Sequence, residues 1–450
     1  MFQLRLRPQG RQRCYAAFCS AAALAFTQPA GAQLSTPATP RVGNPTQNAI
    51  AGPPAPGASV DVPAVRSGPL PTSLSLQRAL EEAEARSPSV VAARASIEAA
   101  EARIRQAGFR ANPELSVEVE NFLGTGDLSG FKRVETTVSV SQQLDLAGRR
   151  RTRVSAAQAE LISQQLRLSI ARAELANDVR QNFARAVVAR ERVALAQANE
   201  ERARELARVA TILVNEGREP PLRGLRARSA AAQAAADVAT AQAAETAALT
   251  TLGSLFGSST PPTSVVGDLL DLTPRTIDPA QMLEVRLAEA ERISAEAALL
   301  QETVARRLDP SVGLGVRHVR ELGDVAFVAG VSMPLPIFDK NRGGIEAARA
   351  NVRAAEARRE AALAAATARA RNAITNVEAA AARVEALQTA AIPEAAEAVR
   401  LAQLSYQAGR SPLIEVLDAQ NAYSAAQAAL IDARLAQALA TAELGRAAAQ

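Results

Sequence analysis

The side chains that carry most protein chemistry are nearly missing from this 450-residue chain. It has one histidine, His318, so neither a His-based nucleophile relay nor a two-His metal site can be assembled. The expected role of His318 is structural or interfacial. The only two cysteines, Cys14 and Cys19, fall in an N-terminal segment with the make-up of a cleaved export signal. The mature chain is then left without a disulfide, a thiolate metal site or a Cys nucleophile. Past the initiator only Met282 and Met333 occur, too few for a thioether ladder that would bind Cu(I). No Gly-rich phosphate loop followed by Lys is present. The pattern speaks against an enzyme and against a resident cofactor.

What remains is charge placed at regular points. Arg149, Arg150, Arg151 and Arg153 open a long expected helix, and Lys340 and Arg342 open its counterpart. Cations at a helix N-terminus oppose the macrodipole, so the choice wants a reason. Such a collar either meets anionic lipid headgroups or is simply solvated. Glu415 and Asp418 begin the last helix, and Arg223 and Arg226 stand at the equivalent places 192 residues earlier. Gly217 and Gly409 mark the turns just before these pairs.

The elements that must hold these residues can be read from composition and period. Hydrophobic residues make up 48% of the chain but aromatics only 3%, and there is no Trp. An apolar share carried mainly by Ala suits long, closely packed helices better than several thick cores. Residues 1–32 combine Arg5, Arg7, Arg11 and Arg13, an apolar stretch, and Ala30-Gly31-Ala32 as a cleavage site. Phe18 before Cys19 argues against lipidation there. Cleavage removes four of the 51 basic residues and none of the 46 acidic ones, leaving +1. The basic pI of the whole chain therefore gives no reason to expect nucleic acid as a partner. Residues 33–72 are rich in Pro, Gly, Ala, Ser and Thr and read as an extended tether.

Two stretches alternate with period 2. Leu115, Val117 and Val119 oppose Glu114, Ser116, Glu118 and Glu120, and residues 133–144 repeat the pattern, giving strands over about 113–122 and 133–144. A second pair is expected over about 310–318 and 325–335. Between and after them the chain reads as helix. Val154, Leu161, Leu168 and Leu175 recur every seven residues in one run from about 149 to 214, and residues 345–392 contain 21 Ala. The signals Val140-Ser141, Gly217-Arg218-x-Pro220 and their companions recur 191 or 192 residues later as Val331-Ser332 and Gly409-Arg410-x-Pro412. This predicts a duplication, with repeats over 73–257 and 278–450 joined by a connector over 258–277.

Four short strands cannot cross a bilayer as an open sheet, because their edges would leave backbone groups unpaired in hydrocarbon. Either several copies pool their strands, or the hairpins form a small soluble sheet capping a coiled coil. Phe109, Phe122, Phe131, Phe327 and Phe338, half of the chain's ten Phe, lie in or beside the hairpins, where an interfacial girdle would be.

The segments Asn112-Pro113-Glu114-Leu115, Ser141-Gln142-Gln143-Leu144-Asp145-Leu146-Ala147-Gly148-Arg149-Arg150, Pro334-Leu335-Pro336-Ile337-Phe338-Asp339 and Gly409-Arg410-Ser411-Pro412-Leu413-Ile414-Glu415 resemble the outer-membrane efflux (TolC-like) family. The likeness is greatest to its Czc-type divalent-cation branch and runs over roughly 74–446. It implies a mainly α chain with a membrane β-barrel portion. In a homotrimer, four strands per chain close a 12-stranded barrel above a coiled-coil tunnel. It also implies an exit duct in the outer membrane of a Gram-negative bacterium, working with a periplasmic adaptor and an inner-membrane RND transporter. Glu415 and Asp418 match the acids that line the periplasmic aperture, and Arg223 and Arg226 are expected to pair with them between adjacent hairpins or to be solvated charges. By the same resemblance, Gly217 and Gly409 lie where a partner's hairpin docks, and Arg149, Arg150, Lys340 and Arg342 form the barrel rim against outer-membrane lipid. The rival readings are a periplasmic adaptor, which would carry one hairpin between split β-domains, and a coiled-coil scaffold.

Overall fold

The computed structural model describes residues 68, 70–122, 124–258, 260–268 and 277–449. The expected signal over 1–32, nearly all of the tether, and residues 269–276 of the connector lie outside the described residues. In chain order the elements are β1 (Ser73–Leu74), α1 (Leu76–Arg86), α2 (Pro88–Gly108), β2 (Glu114–Glu120), β3 (Glu135–Gln143), α3 (Arg149–Asn215) and α4 (Pro221–Ser254). They continue as β4 (Ser264–Val265), α5 (Leu283–Ala305), β5 (Ser311–Val319), β6 (Asp324–Ser332), α6 (Arg342–Ala386), α7 (Ile392–Gln407) and α8 (Leu413–Ala447).

Local chemistry explains most of the boundaries. Ser75 caps α1 by accepting from the Arg78 N–H at 3.3 Å. Ser87 occupies the cap position before Pro88, but its hydroxyl bonds Ser89 at 2.9 Å instead of the helix backbone. Asp278-Pro279 does not open a helix directly. It opens a short 3-10 turn, Pro279–Gln281, and α5 starts only at Leu283. Pro393 is preceded by a π-helical turn, Leu387–Ala391. Proline lacks an N–H and its ring would strike the carbonyl four residues back. One wider turn accommodates this without ending the helix.

The strands lie within a few residues of the expected spans, and β6 ends at Ser332, three residues before the expected 335, because Pro334 and Pro336 cannot donate to a ladder. They form one antiparallel sheet in the order β2-β3-β5-β6. Its registers align Leu115, Val140, Leu314 and Ala329 in one row and Val117, Val138, Val316 and Phe327 in the next. Beneath it the helices repeat the same order: α2 packs on α3, α3 on α5, and α5 on α6. At about 1.5 Å per residue, the 67-residue α3 is roughly 100 Å long.

The main core lies around the middle of α3. Val179, Phe183, Ala186 and Val187 pack with Leu74, Ala83, Val90, Leu252 and Val265. Here β1 pairs with β4 in parallel, and Leu70 is already buried, so the last residues assigned to the tether belong to the fold. Of the heptad residues only Leu175 is buried. Val154, Leu161 and Leu168 are half-buried, because α3 has neighbours on two sides and needs two apolar stripes rather than one seam. On α6 the buried positions are mostly Ala, as close helix spacing requires.

Candidate functional site

The sheet has two contrasting faces. One carries Leu115, Val117, Val119, Val138, Val140, Leu314, Val316, Val325, Phe327 and Val331, and these side chains are exposed, Phe327 by 90% and Leu314 by 72%. His318 lies on this same face, paired in register with Thr136 and Val325. The other face holds five carboxylates within the strands (Glu114, Glu118, Glu120, Glu135, Asp324) and a single cation, Arg317. The Arg317 guanidinium lies 3.1 Å from Glu120 and 3.0 Å from Glu135, and donates to the Thr137 hydroxyl at 2.9 Å. Alternation along β5 sets Arg317 opposite Leu314 and Val316 but does not reveal these partners. Their meeting depends on register between strands more than 180 residues apart. The net balance of this face is strongly acidic. Among the described residues no group of three or more His, Cys, Asp or Glu could hold a metal ion.

At the sheet–helix junction the rim cations divide. Arg149 donates to the carbonyls of Ala305 at 2.8 Å and Arg307, and its Nε lies 3.0 Å from the carboxylate of Asp309. Asp309 is 3% exposed and also accepts from the Ala147 N–H at 2.9 Å. A cation at the start of α3 therefore neutralises the carbonyl end of the antiparallel α5, which is the reason its own helix dipole did not supply. Arg149 is thus a structural pin. Arg150 sits 3.8 Å from Asp145, whose carboxylate also accepts from the Arg150 N–H at 3.2 Å. Lys340 and Arg342 are exposed, with no ion pair among the described residues.

At the other end of the rods the two turns have the same geometry. Gly217 has φ +72° and Gly409 φ +71°. In each case the next N–H reaches back five residues, Arg218 to Leu213 and Arg410 to Ser405, both at 2.9 Å. This is the left-handed closure of a helix that glycine alone makes without strain. Leu413, 2% exposed, then anchors α8 against Ala207 and Ala210 of α3 and Ala227 of α4. Glu415 and Asp418 remain exposed beside it. Arg223 pairs with Glu219 of its own hairpin, and no ion pair among the described residues joins Arg223 or Arg226 to Glu415 or Asp418. Between α3, α7 and α8 lies a groove of about 1110 Å³ lined by Arg202, Arg208, Tyr406, Gln407 and Gln420. Burial and the nearby Glu219 push the Tyr406 phenol above its ordinary pKa, against Arg223 and Arg218. Its hydroxyl has no hydrogen-bond partner among the described residues.

The family model described as "Outer membrane efflux protein" matches residues 79–258 and again 283–450. The chain is 33% identical over 311 residues to the nickel-cobalt-cadmium resistance protein NccC of Alcaligenes xylosoxydans xylosoxydans, covering 68% of this chain and 70% of NccC. It is 28% identical over 361 residues to the cobalt-zinc-cadmium resistance protein CzcC of Cupriavidus metallidurans, covering 77% of this chain and 83% of CzcC. Among solved structures, CusC aligns with a TM-score of 0.72 at 18% identity, over 83% of this chain and 91% of that one. A membrane protein from Pseudomonas aeruginosa aligns equally well, with a TM-score of 0.72 at 22% identity, over 83% of this chain and 89% of that one. These two structures share the fold.

Proposed function

The chain belongs to the outer membrane efflux protein family, and from that premise we propose that it is the exit duct of a tripartite RND-type pump that expels divalent heavy-metal cations. It is an outer-membrane efflux component with a helical portion in the periplasm, and no reaction is assigned to it.

The observation that carries the reading is the four-stranded sheet. Among the described residues, its edge strands β2 and β6 have no partner beyond the sheet, one face is apolar and uncovered, and the other is acidic. Water does not suit the apolar face, and hydrocarbon does not tolerate the open edges. Joining β6 of one copy to β2 of the next answers both demands. Three copies, the number that the family resemblance implies, give a 12-stranded barrel whose apolar face meets lipid and whose acidic face lines the lumen. The two halves of the chain, 73–257 and 278–450, are then duplicated units, each supplying two strands and one long helical hairpin. The acidic lumen suits a cation cargo, and the relatives NccC and CzcC carry metal resistance in their names.

In this reading Glu415 and Asp418 form rings of three at the periplasmic aperture. With Arg223 taken by Glu219, Arg226 is the cation left to tie Asp418 of a neighbouring hairpin and hold the aperture shut. An adaptor's hairpin docks at the Gly217 and Gly409 turns and relieves that tie. Asp418→Arg and Arg226→Asp, each in planar bilayers, should raise single-channel conductance; wild-type conductance in both would reject the gate. Of the rim cations, Arg150, Lys340 and Arg342 are the ones exposed toward anionic headgroups. Deletion of the gene should sensitise cells to nickel, cobalt, cadmium or zinc salts. Sensitivity to organic drugs alone would overturn the choice of cargo.

A further inference from the structure

The links between strand and helix at the sheet's base are unequal. Residues 109–113, 144–148 and 306–310 each make the crossing in five residues, whereas 333–341 takes nine. The long link contains Leu335, Ile337 and Phe338, which are 64%, 66% and 98% exposed. Nothing among the described residues covers this apolar hook. Irregular backbone of this kind is not tolerated in lipid hydrocarbon, whereas a protein surface would cover it.

The topology says which protein. Strand order β2-β3-β5-β6 and helix order α2-α3-α5-α6 put the hook at one lateral edge of the subunit, between β6 and α6. At the opposite edge, between α2 and β2, stands Phe109, 63% exposed. The sheet is antiparallel throughout, so the end of β6 and the start of a neighbour's β2 lie at the same rim when the two strands pair. Asp339 beside the hook and Arg110 beside Phe109 are exposed and have no ion pair among the described residues, so the two edges are also complementary in charge.

We infer that residues 335–338 form a clasp onto the next copy of this chain, with Phe338 packed on Phe109 across the seam and Asp339 facing Arg110. The inference rests on the closure of the sheet by several copies proposed above and adds a lock beneath the barrel. It gives the seam an apolar contact that ladder hydrogen bonds alone would not provide.

The test is Phe109→Cys with Phe338→Cys in one chain, oxidised in outer-membrane fractions and run on a denaturing, non-reducing gel. Within a subunit the two sites are separated by the width of four strands, roughly 14 Å, beyond the ~7 Å limit between Cα atoms for a disulfide. Any link therefore joins different copies. Covalent dimers and trimers are expected from the double variant and neither from the single ones. Native mass spectrometry of the same preparation separates the two claims. Intact trimers without covalent products overturn the clasp and leave closure standing, and the absence of any oligomer overturns both. A second variant, Phe338→Trp, supplies the chain's only tryptophan. Its fluorescence should be indifferent to brominated lipid, and strong quenching would place the hook in the bilayer and reject the clasp.

Discussion

Glu284 at the start of α5 and Arg446 near the end of α8 form the knot that fastens the end of the chain to its middle. The Arg446 guanidinium lies 2.7 Å from Glu284 and 3.4 Å from Glu174, and Glu284 also takes Arg369 at 2.9 Å. Glu284→Gln would strand a guanidinium that is only 9% exposed. Breaking a fully buried pair costs about 3–5 kcal/mol. Glu284 keeps 26% of its side chain in water, and Glu174 remains as a weaker partner, so about 2–3 kcal/mol is expected. The loss should be local to the end of α8. Hydrogen exchange of amides over 441–447 should therefore quicken by roughly 30- to 150-fold, at 1.4 kcal/mol per decade. Glu284→Gln with Arg446→Met removes the stranded charge and should return most of the protection. Unchanged exchange in the single variant would refute the reasoning, as would a double variant no better than the single one.

The same knot gives a pH dependence. Burial opposes ionisation of Glu284, but its own backbone N–H, Arg446 and Arg369 outweigh burial and hold the carboxyl below its ordinary 4.5. A pKa lowered by folding stabilises the fold above the ordinary value, so protection of α8 should be full near neutrality and fall as pH drops below about 4.5; pH-independent exchange after correction for intrinsic rates would contradict it. At the turns, Gly217→Ala or Gly409→Ala should each cost about 1–2 kcal/mol because of the left-handed φ. Gly343→Ala, with open space around it in the first turn of α6, should be neutral or stabilising by up to about 1 kcal/mol, with circular dichroism melts giving the comparison. Asp309→Ala leaves the Ala147 N–H without its acceptor and Arg149 without its carboxylate partner, and should cost about 1–3 kcal/mol, read as heat sensitivity of the extracted protein, and Asp309→Asn should recover part of it.

The features legible in the sequence are those set by near neighbours. The alternation of Leu115, Val117 and Val119 against glutamates fixed strand and face together. Gly217 and Gly409 marked the turns because glycine takes their left-handed φ without the strain a Cβ brings. Contacts across long separations stayed hidden. Arg149 looked like a misplaced cation until its partners at 305, 307 and 309 came beside it, about 160 residues along the chain. Nothing near Leu74 signalled its pairing with Val265, a two-residue parallel bridge too short to leave a periodic trace. The π-turn before Pro393 left no trace in the sequence, since composition says that proline disturbs a helix but not how the helix absorbs it. At the proposed aperture, matching offsets brought Arg223 and Arg226 into correspondence with Glu415 and Asp418. Spacing could not reveal that Glu219 would claim Arg223 first.

The account stands or falls on copies of this chain sharing one cylinder of strands. Native mass spectrometry of the protein extracted from outer membranes in mild detergent counts them directly. A single species with the mass of three mature chains is the predicted result, and a stable one-chain species that needs no detergent would contradict it.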